Sequence, residues 1–168
     1  AREIAAHGID NLADLPRPEE AVVEGDVMIE GGPLPMKGII DYRKGSGPTA
    51  APPLVGDHKT SSDPKWMKAP YELPQNVQMV SYAKWALDKA PQAKAVTLKH
   101  HYYGTKRKRW AETVEATATR AVIEEQWEGI CGTITEMIET AKLEEAQLGA
   151  NPDLMNLSAC SDYGGCAF

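Results

Sequence analysis

Cysteine and phenylalanine are scarce in this chain: three Cys and one Phe in 168 residues. A low, odd cysteine count fits a disulfide framework badly and suits an intracellular setting. No apolar run approaches the roughly 20 residues that a membrane span needs, and "AREIAAHGID" does not read as a signal peptide. Basic residues are also outnumbered, 18 Lys and Arg against 24 Asp and Glu, for a net charge of -6. That sum alone argues against a nucleic-acid partner. Internal repeats and low-complexity segments are absent. The start at Ala1 and the stop at "GGCAF" read as the ends of a piece trimmed from something longer.

What is present is a soluble globular composition, 42% hydrophobic and 25% charged, in a length that suits one domain with a real core. Charge is unevenly spread. Lys99 to Arg109 holds five Lys or Arg and no acid, whereas Ala111 to Leu148 holds nine acids against two bases. This predicts one positive edge and one acidic helical flank.

Periodicity predicts a short helix over 2–15, a strand over 21–30, a second strand over 35–44 and a third carrying "LVGDHKTSSD". Short turns between the three strands predict an antiparallel meander. Pro74 is placed to start a helix running to about Lys89. Strands follow over 93–103 and 109–119, then a long helix from Arg120 with the apolar series Ile123, Trp127, Ile130, Cys131, Ile134, Met137 and Ile138. The order predicts an α/β sandwich with a mixed central sheet of about five strands flanked by helices. Residues 1–149 are read as the core and 150–168 as a Cys-containing tail.

Two carboxylates stand out. Asp41 ends the second strand after Gly38-Ile39-Ile40, and Asp57 follows sixteen residues later with Lys59 two positions on. Side chains two apart on a strand share a face. If these strands pair, Asp41, Asp57 and a backbone carbonyl, that of His58, make an oxygen set suited to Mg²⁺ or Mn²⁺. Lys59 can then orient water or stabilise charge on a phosphate. Gln78 and Tyr82 lie one turn apart on the following helix. The bland reading of Asp-x-Lys on a strand is a surface ion pair worth little. His100 and His101 face opposite sides and cannot both serve one metal. The turn "KHHYYGTKRKRW", with Lys106, Arg107, Lys108 and Arg109, suits tracking of a phosphate backbone, as "SSDPKWMK" suits a second substrate loop.

"GIIDY", "LVGDHKTSSD" and "QMVSYAKWAL" resemble the successive motifs of the PD-(D/E)XK nuclease superfamily, and within it the RecB-like exonucleases, a branch that includes the CRISPR-associated exonuclease family and related phage enzymes. The resemblance implies a restriction-endonuclease-like fold. It makes Asp41 and Asp57 metal-binding acids, Lys59 the catalytic lysine, and Gln78 with Tyr82 a DNA-contacting or site-supporting pair. It also implies a further metal ligand at His7, with Glu24 as a substitute. The second acid is Asp where many relatives have Glu. The tail "NLSACSDYGGCAF" resembles those relatives that carry an iron-sulfur cluster, which would make Cys160 and Cys166 two of four ligands of a [4Fe-4S] group; Cys131 reads instead as a buried core thiol. The implied function is Mg²⁺- or Mn²⁺-dependent hydrolysis of DNA, single-stranded or at duplex ends, in recombination, repair or phage replication. The expected setting is the cytoplasm of a bacterium or a phage-infected host. The exonuclease assignment rests on Gln-x-x-x-Tyr. A DNA-binding module without chemistry is the competing reading.

Overall fold

The computed structural model describes residues 26–45, 52–106 and 110–142. The predicted first helix with His7, Glu24, the hairpin residues Arg107, Lys108 and Arg109, and Cys160 and Cys166 lie outside them.

The described elements run β1 (Asp26–Ile29), β2 (Met36–Ile39), β3 (Tyr42–Lys44), β4 (Leu54–Ser61), α1 (Val77–Lys89), β5 (Ala95–Gly104), β6 (Ala111–Thr119) and α2 (Arg120–Ala141). Two 3₁₀ turns, Pro64–Trp66 and Pro70–Gln75, fill the connection from β4 to α1. The result is α/β with a mixed sheet, as the element order predicts, but the strands divide differently. A four-stranded sheet runs β3-β4-β5-β6, and β1 and β2 pair in a sheet of their own. The predicted sheet of about five strands is therefore four plus two, and the three-strand meander is not continuous.

The reason lies at Ile40 and Asp41. The predicted strand 35–44 breaks there, its first half pairing with β1 and its second with β4. β4 and β5 pair parallel, with Asp57 opposite His100 and Lys59 opposite Tyr102, and β5 and β6 pair antiparallel. A parallel pair needs a crossover, and the segment containing α1 supplies it.

Alternation along β5 separates the two faces. Val96, Leu98, His100 and Tyr102 share one face with Val55, Asp57 and Lys59 of β4. α1 packs against β1, β4 and β5, burying Met79, Val80, Ala83 and Leu87. Pro74 lies within the second 3₁₀ turn, so α1 starts later than predicted, where the Asn76 side chain accepts from Met79 N at 3.1 Å. Val77, the first residue of the helix, is exposed at this start.

The far end of α1 is closed by another element. Arg120, the first residue of α2, donates to the carbonyls of Ala93 at 3.1 Å and of Leu87 and Ala90 at 3.0 Å each. The Leu87 and Ala90 carbonyls also accept from the backbone N of Ala90 at 3.1 Å and of Ala93 at 2.9 Å, so the guanidinium adds a second donor to each and ties the turn after α1 to the start of α2. Trp127 Nε1 donates to Gly31 O at 3.4 Å.

Contacts divide the chain after Ile130, inside α2. From Cys131 onward the helix is described by itself. Thr135 Oγ1 donates to Cys131 O at 2.9 Å. Cys131 is half-buried and Met137 exposed, which corrects the expectation of a buried core thiol. The apolar period of α2 is real, but Ile123 and Trp127 are its buried members.

Candidate active site

The break between β2 and β3 gives Asp41 its place. Its Oδ2 accepts from the backbone N of His58 at 2.6 Å, so the first carboxylate is pinned to the strand that carries the second. His58, predicted to offer its carbonyl, is held to Asp41 through its amide. Its ring points to the other face, where Nδ1 lies 2.6 Å from the Tyr103 hydroxyl.

Asp57 is buried, 4% exposed, at the middle of β4. Its Oδ1 accepts from Gln78 Nε2 at 2.9 Å, and its Oδ2 lies 2.7 Å from Lys59 Nζ. Lys59 Nζ also donates to Gln78 Oε1 at 2.6 Å. These partners fix which end of the Gln78 amide is which: oxygen to the ammonium, nitrogen to the carboxylate. Gln78 Nε2 is 3.1 Å from the Tyr82 hydroxyl, which donates in turn to Ile39 O at 2.5 Å. Residues 78 and 82 meet because they are four apart on a helix, and 57 and 59 because they are two apart on a strand.

A glycine completes this arrangement. A Cβ on Gly38 would lie 2.8 Å from Tyr82 Cε1, so the first residue of Gly-x-x-Asp is the one that lets the Tyr82 ring reach the strand end.

Burial raises the Asp57 carboxyl above its ordinary 3.8; Lys59 opposes the shift and Asp41 adds to it. Such a carboxylate wants more positive charge than one half-exposed ammonium supplies. Among the described residues no hydrogen bond of good geometry reaches Asp57 Oδ2, although Lys59 is near. A buried carboxylate oxygen with a second carboxylate close by fits a hard divalent cation. Among the described residues no three His, Cys, Asp or Glu side chains gather into a fuller ligand set. Mg²⁺ is bound through one or two carboxylates, keeping several waters and taking substrate phosphate oxygens, so two acids suffice.

Sequence reasoning missed His100. It stands opposite Asp57 in the parallel register, on the same face, 1% exposed. Its Nδ1 is 3.2 Å from the Tyr102 hydroxyl, which accepts from Lys68 N at 3.1 Å, and among the described residues Nε2 has no hydrogen-bond partner. Burial first, then the Lys59 and Lys68 ammoniums, lower its pKa to about 4. His100 is therefore neutral at physiological pH. Adjacency to His101 in sequence concealed it, since strand alternation alone says only that the two part company. His101 goes to the opposite face, where its ring bonds the Tyr42 hydroxyl and Thr113 Oγ1, stacks on the Tyr42 ring at 5.5 Å and meets the His58 ring at a tilt at the same distance.

Lys99 is buried and pairs with Glu115 at 2.8 Å, and Lys106 is exposed at the end of the described hairpin.

No family model and no curated protein matches the chain. The solved structure of SSO0001 is similar at 18% identity and a TM-score of 0.33, over 64% of this chain and 48% of that one. The chain spans about half the length of that structure. Among the described residues no helix is long and apolar enough to cross a membrane.

Proposed function

We propose that this chain is a divalent-metal-dependent DNA nuclease of the RecB-like kind within the PD-(D/E)XK superfamily, acting as an exonuclease in the cytoplasm of a bacterial or phage-infected cell. The observation that carries the reading is the Gln78 amide spanning Asp57 and Lys59, with Asp41 tied to the same strand through His58 N. A surface ion pair has no physical need of a buried acid, a second carboxylate and a helix-borne amide fixed at both ends.

Asp41 and Asp57 would hold Mg²⁺ or Mn²⁺. The cation supplies Lewis-acid polarisation of the phosphodiester and offsets its negative charge. Lys59, fixed by two partners, presents a proton-rich centre beside the acids, where it orients the attacking water or stabilises charge growing on the phosphoryl oxygens. Gln78 braces this ion pair from both sides, its Oε1 taking one of the three N–H groups of the ammonium and its Nε2 donating to Asp57 Oδ1. Tyr82 holds the helix to the strand end that precedes Asp41, and so sets the spacing of the two acids.

The test is cleavage of end-labelled linear and circular single-stranded DNA with Mg²⁺ or Mn²⁺, wild type against Lys59→Ala. Expected is degradation of the linear substrate alone, lost in the variant. A folded wild type that binds DNA and cleaves neither substrate would overturn the nuclease reading in favour of a binding module.

A further inference from the structure

The segment between β4 and α1 is pinned at nearly every residue, yet it presents two large rings to solvent. Ser61 Oγ donates to Asp63 O at 2.9 Å, Asp63 Oδ1 accepts from Lys65 N at 3.0 Å, and Glu72 Oε2 accepts from Ala69 N at 2.6 Å. Lys68 N is held by the Tyr102 hydroxyl, and Leu73 is fully buried. Pro64, Pro70 and Pro74 restrict the backbone further. On this rigid segment Trp66 is 67% exposed and Tyr71 is 71% exposed.

Three features say what the rings are for. Both carboxylates of the segment, Asp63 and Glu72, are turned inward as caps on backbone N–H groups. Lys65 instead sits with its Nζ 5.0 Å from the Trp66 ring centroid, and Lys68 lies near enough to His100 to bear on its charge, as Lys59 does. The segment also leaves directly from the strand that carries Asp57 and Lys59. Rings and ammonium groups therefore alternate in sequence, Lys65, Trp66, Lys68 and Tyr71, along a segment that begins at the end of the site's own strand. Trp66 and Tyr71 are five positions apart, so their backbones are at most about 18 Å from one another, a span of a few nucleotides.

We infer that Trp66 and Tyr71 form a stacking platform for the unpaired bases of a single DNA strand entering the site, with Lys65 and Lys68 meeting its phosphates. Every base has a π-face, so stacking tolerates any sequence, and a duplex keeps those faces covered. A protein partner would call for a continuous apolar patch; here the charged side chains of Lys65 and Lys68 fall between the rings. The inference deepens the nuclease reading and rests on it for the direction in which the strand is led.

The experiment is anisotropy of the full chain, in chelator so that nothing is cleaved, with labelled oligothymidylate and with a blunt hairpin duplex. Trp66→Ala and Tyr71→Ala are each expected to weaken single-strand binding roughly 5- to 150-fold and to change duplex binding less than about twofold, while Trp66→Phe keeps most of the affinity. Unchanged single-strand affinity in both alanine variants, with wild-type circular dichroism and melting, overturns the platform. So does equal loss on the duplex, or a wild-type self-association that disappears in Trp66→Ala. The two readings fail separately. A silent Trp66→Ala beside an active, Lys59-dependent nuclease removes only the platform; Trp66-dependent strand binding by a protein with no metal-dependent cleavage removes only the nuclease.

Discussion

The Tyr82 hydroxyl donates a 2.5 Å hydrogen bond to the carbonyl of Ile39, two residues before Asp41. The same hydroxyl lies 3.1 Å from Gln78 Nε2, so a single oxygen joins the helix amide that touches Asp57 to the strand end that presents Asp41. Tyr82→Phe is expected to cost about 1 kcal/mol in urea unfolding, the net worth of such a bond. Cleavage should fall further than stability implies, by roughly tenfold, because the two acids lose their common reference. Cleavage unchanged in a destabilised variant would show that Tyr82 serves the fold alone.

Gly38→Ala puts a Cβ 2.8 Å from Tyr82 Cε1. The expected loss is about 1–3 kcal/mol, typical of an overpacked contact. Combined with Tyr82→Ala, the loss should be clearly less than the sum of the two single losses. Additive losses would place the steric problem elsewhere.

Asp57→Asn tests the metal proposal without any cleavage assay. Burial already disfavours the Asp57 anion, so the variant should unfold within about 1 kcal/mol of wild type in chelator, as for a mutation that trades a strained charge for a neutral isostere. Mg²⁺ or Mn²⁺ should stabilise the wild type by RT ln(1 + [L]/Kd), about 2.7 kcal/mol at 100 times Kd, and leave the variant unmoved. An equal metal-induced rise in both proteins would remove Asp57 from the ligand set.

His100 predicts an acid-side loss of stability. Its folded pKa is lowered to about 4 from an ordinary 6.5, so between those values the unfolded chain binds the proton that the folded one refuses. Its contribution is complete above pH 6.5 and falls as the pH drops towards 4, by roughly 3 kcal/mol in all. Denaturant midpoints across this window should fall less steeply in His100→Phe. Identical slopes in the two proteins would contradict the assignment.

Arg120→Ala removes four hydrogen bonds at and just past the end of α1, to Leu87, Ala90, Pro91 and Ala93. A loss of about 2 kcal/mol is expected, since several hydrogen bonds from one charged group are lost together while the Leu87 and Ala90 carbonyls keep only their backbone donors. Arg120→Lys should recover less than half of it, because an ammonium cannot reproduce the fork. Full recovery by lysine would mean that charge at the helix end, rather than geometry, is what Arg120 supplies.

Much of this arrangement is legible in the chain. Gly-x-x-Asp, Asp-x-Lys and Gln-x-x-x-Tyr each state a local periodicity, two for strand and four for helix, and the structure brings all five of their polar residues together. The split at Ile40 is not legible. Met36, Gly38, Ile40 and Tyr42 all point inward to some degree, so the period of two runs unbroken while the pairing partner changes from β1 to β4. Hydrophobic alternation records which face is buried, not which strand lies alongside. Asn76 as the true start of α1 was concealed in the same way, because a proline two residues earlier is an equally good opening signal. His100 needed the parallel register with β4, which no local pattern encodes.

Tyr42 gives the edge of the sheet a property that its length would not. β3 has three residues and, among the described strands, pairs with β4 at the edge of the sheet, and so short a strand would ordinarily open on its own many times for each opening of the sheet centre. A Cβ on Gly56 would collide with the Tyr42 ring, which crosses β4 at that glycine to bond His101 on β5. Peeling β3 away therefore means breaking a contact two strands inward. In amide-exchange terms the β3 N–H groups that bond β4 should be protected nearly as well as that of Leu98, and Asp41, next in the chain to Tyr42, inherits the quiet of the sheet interior although it sits at its rim.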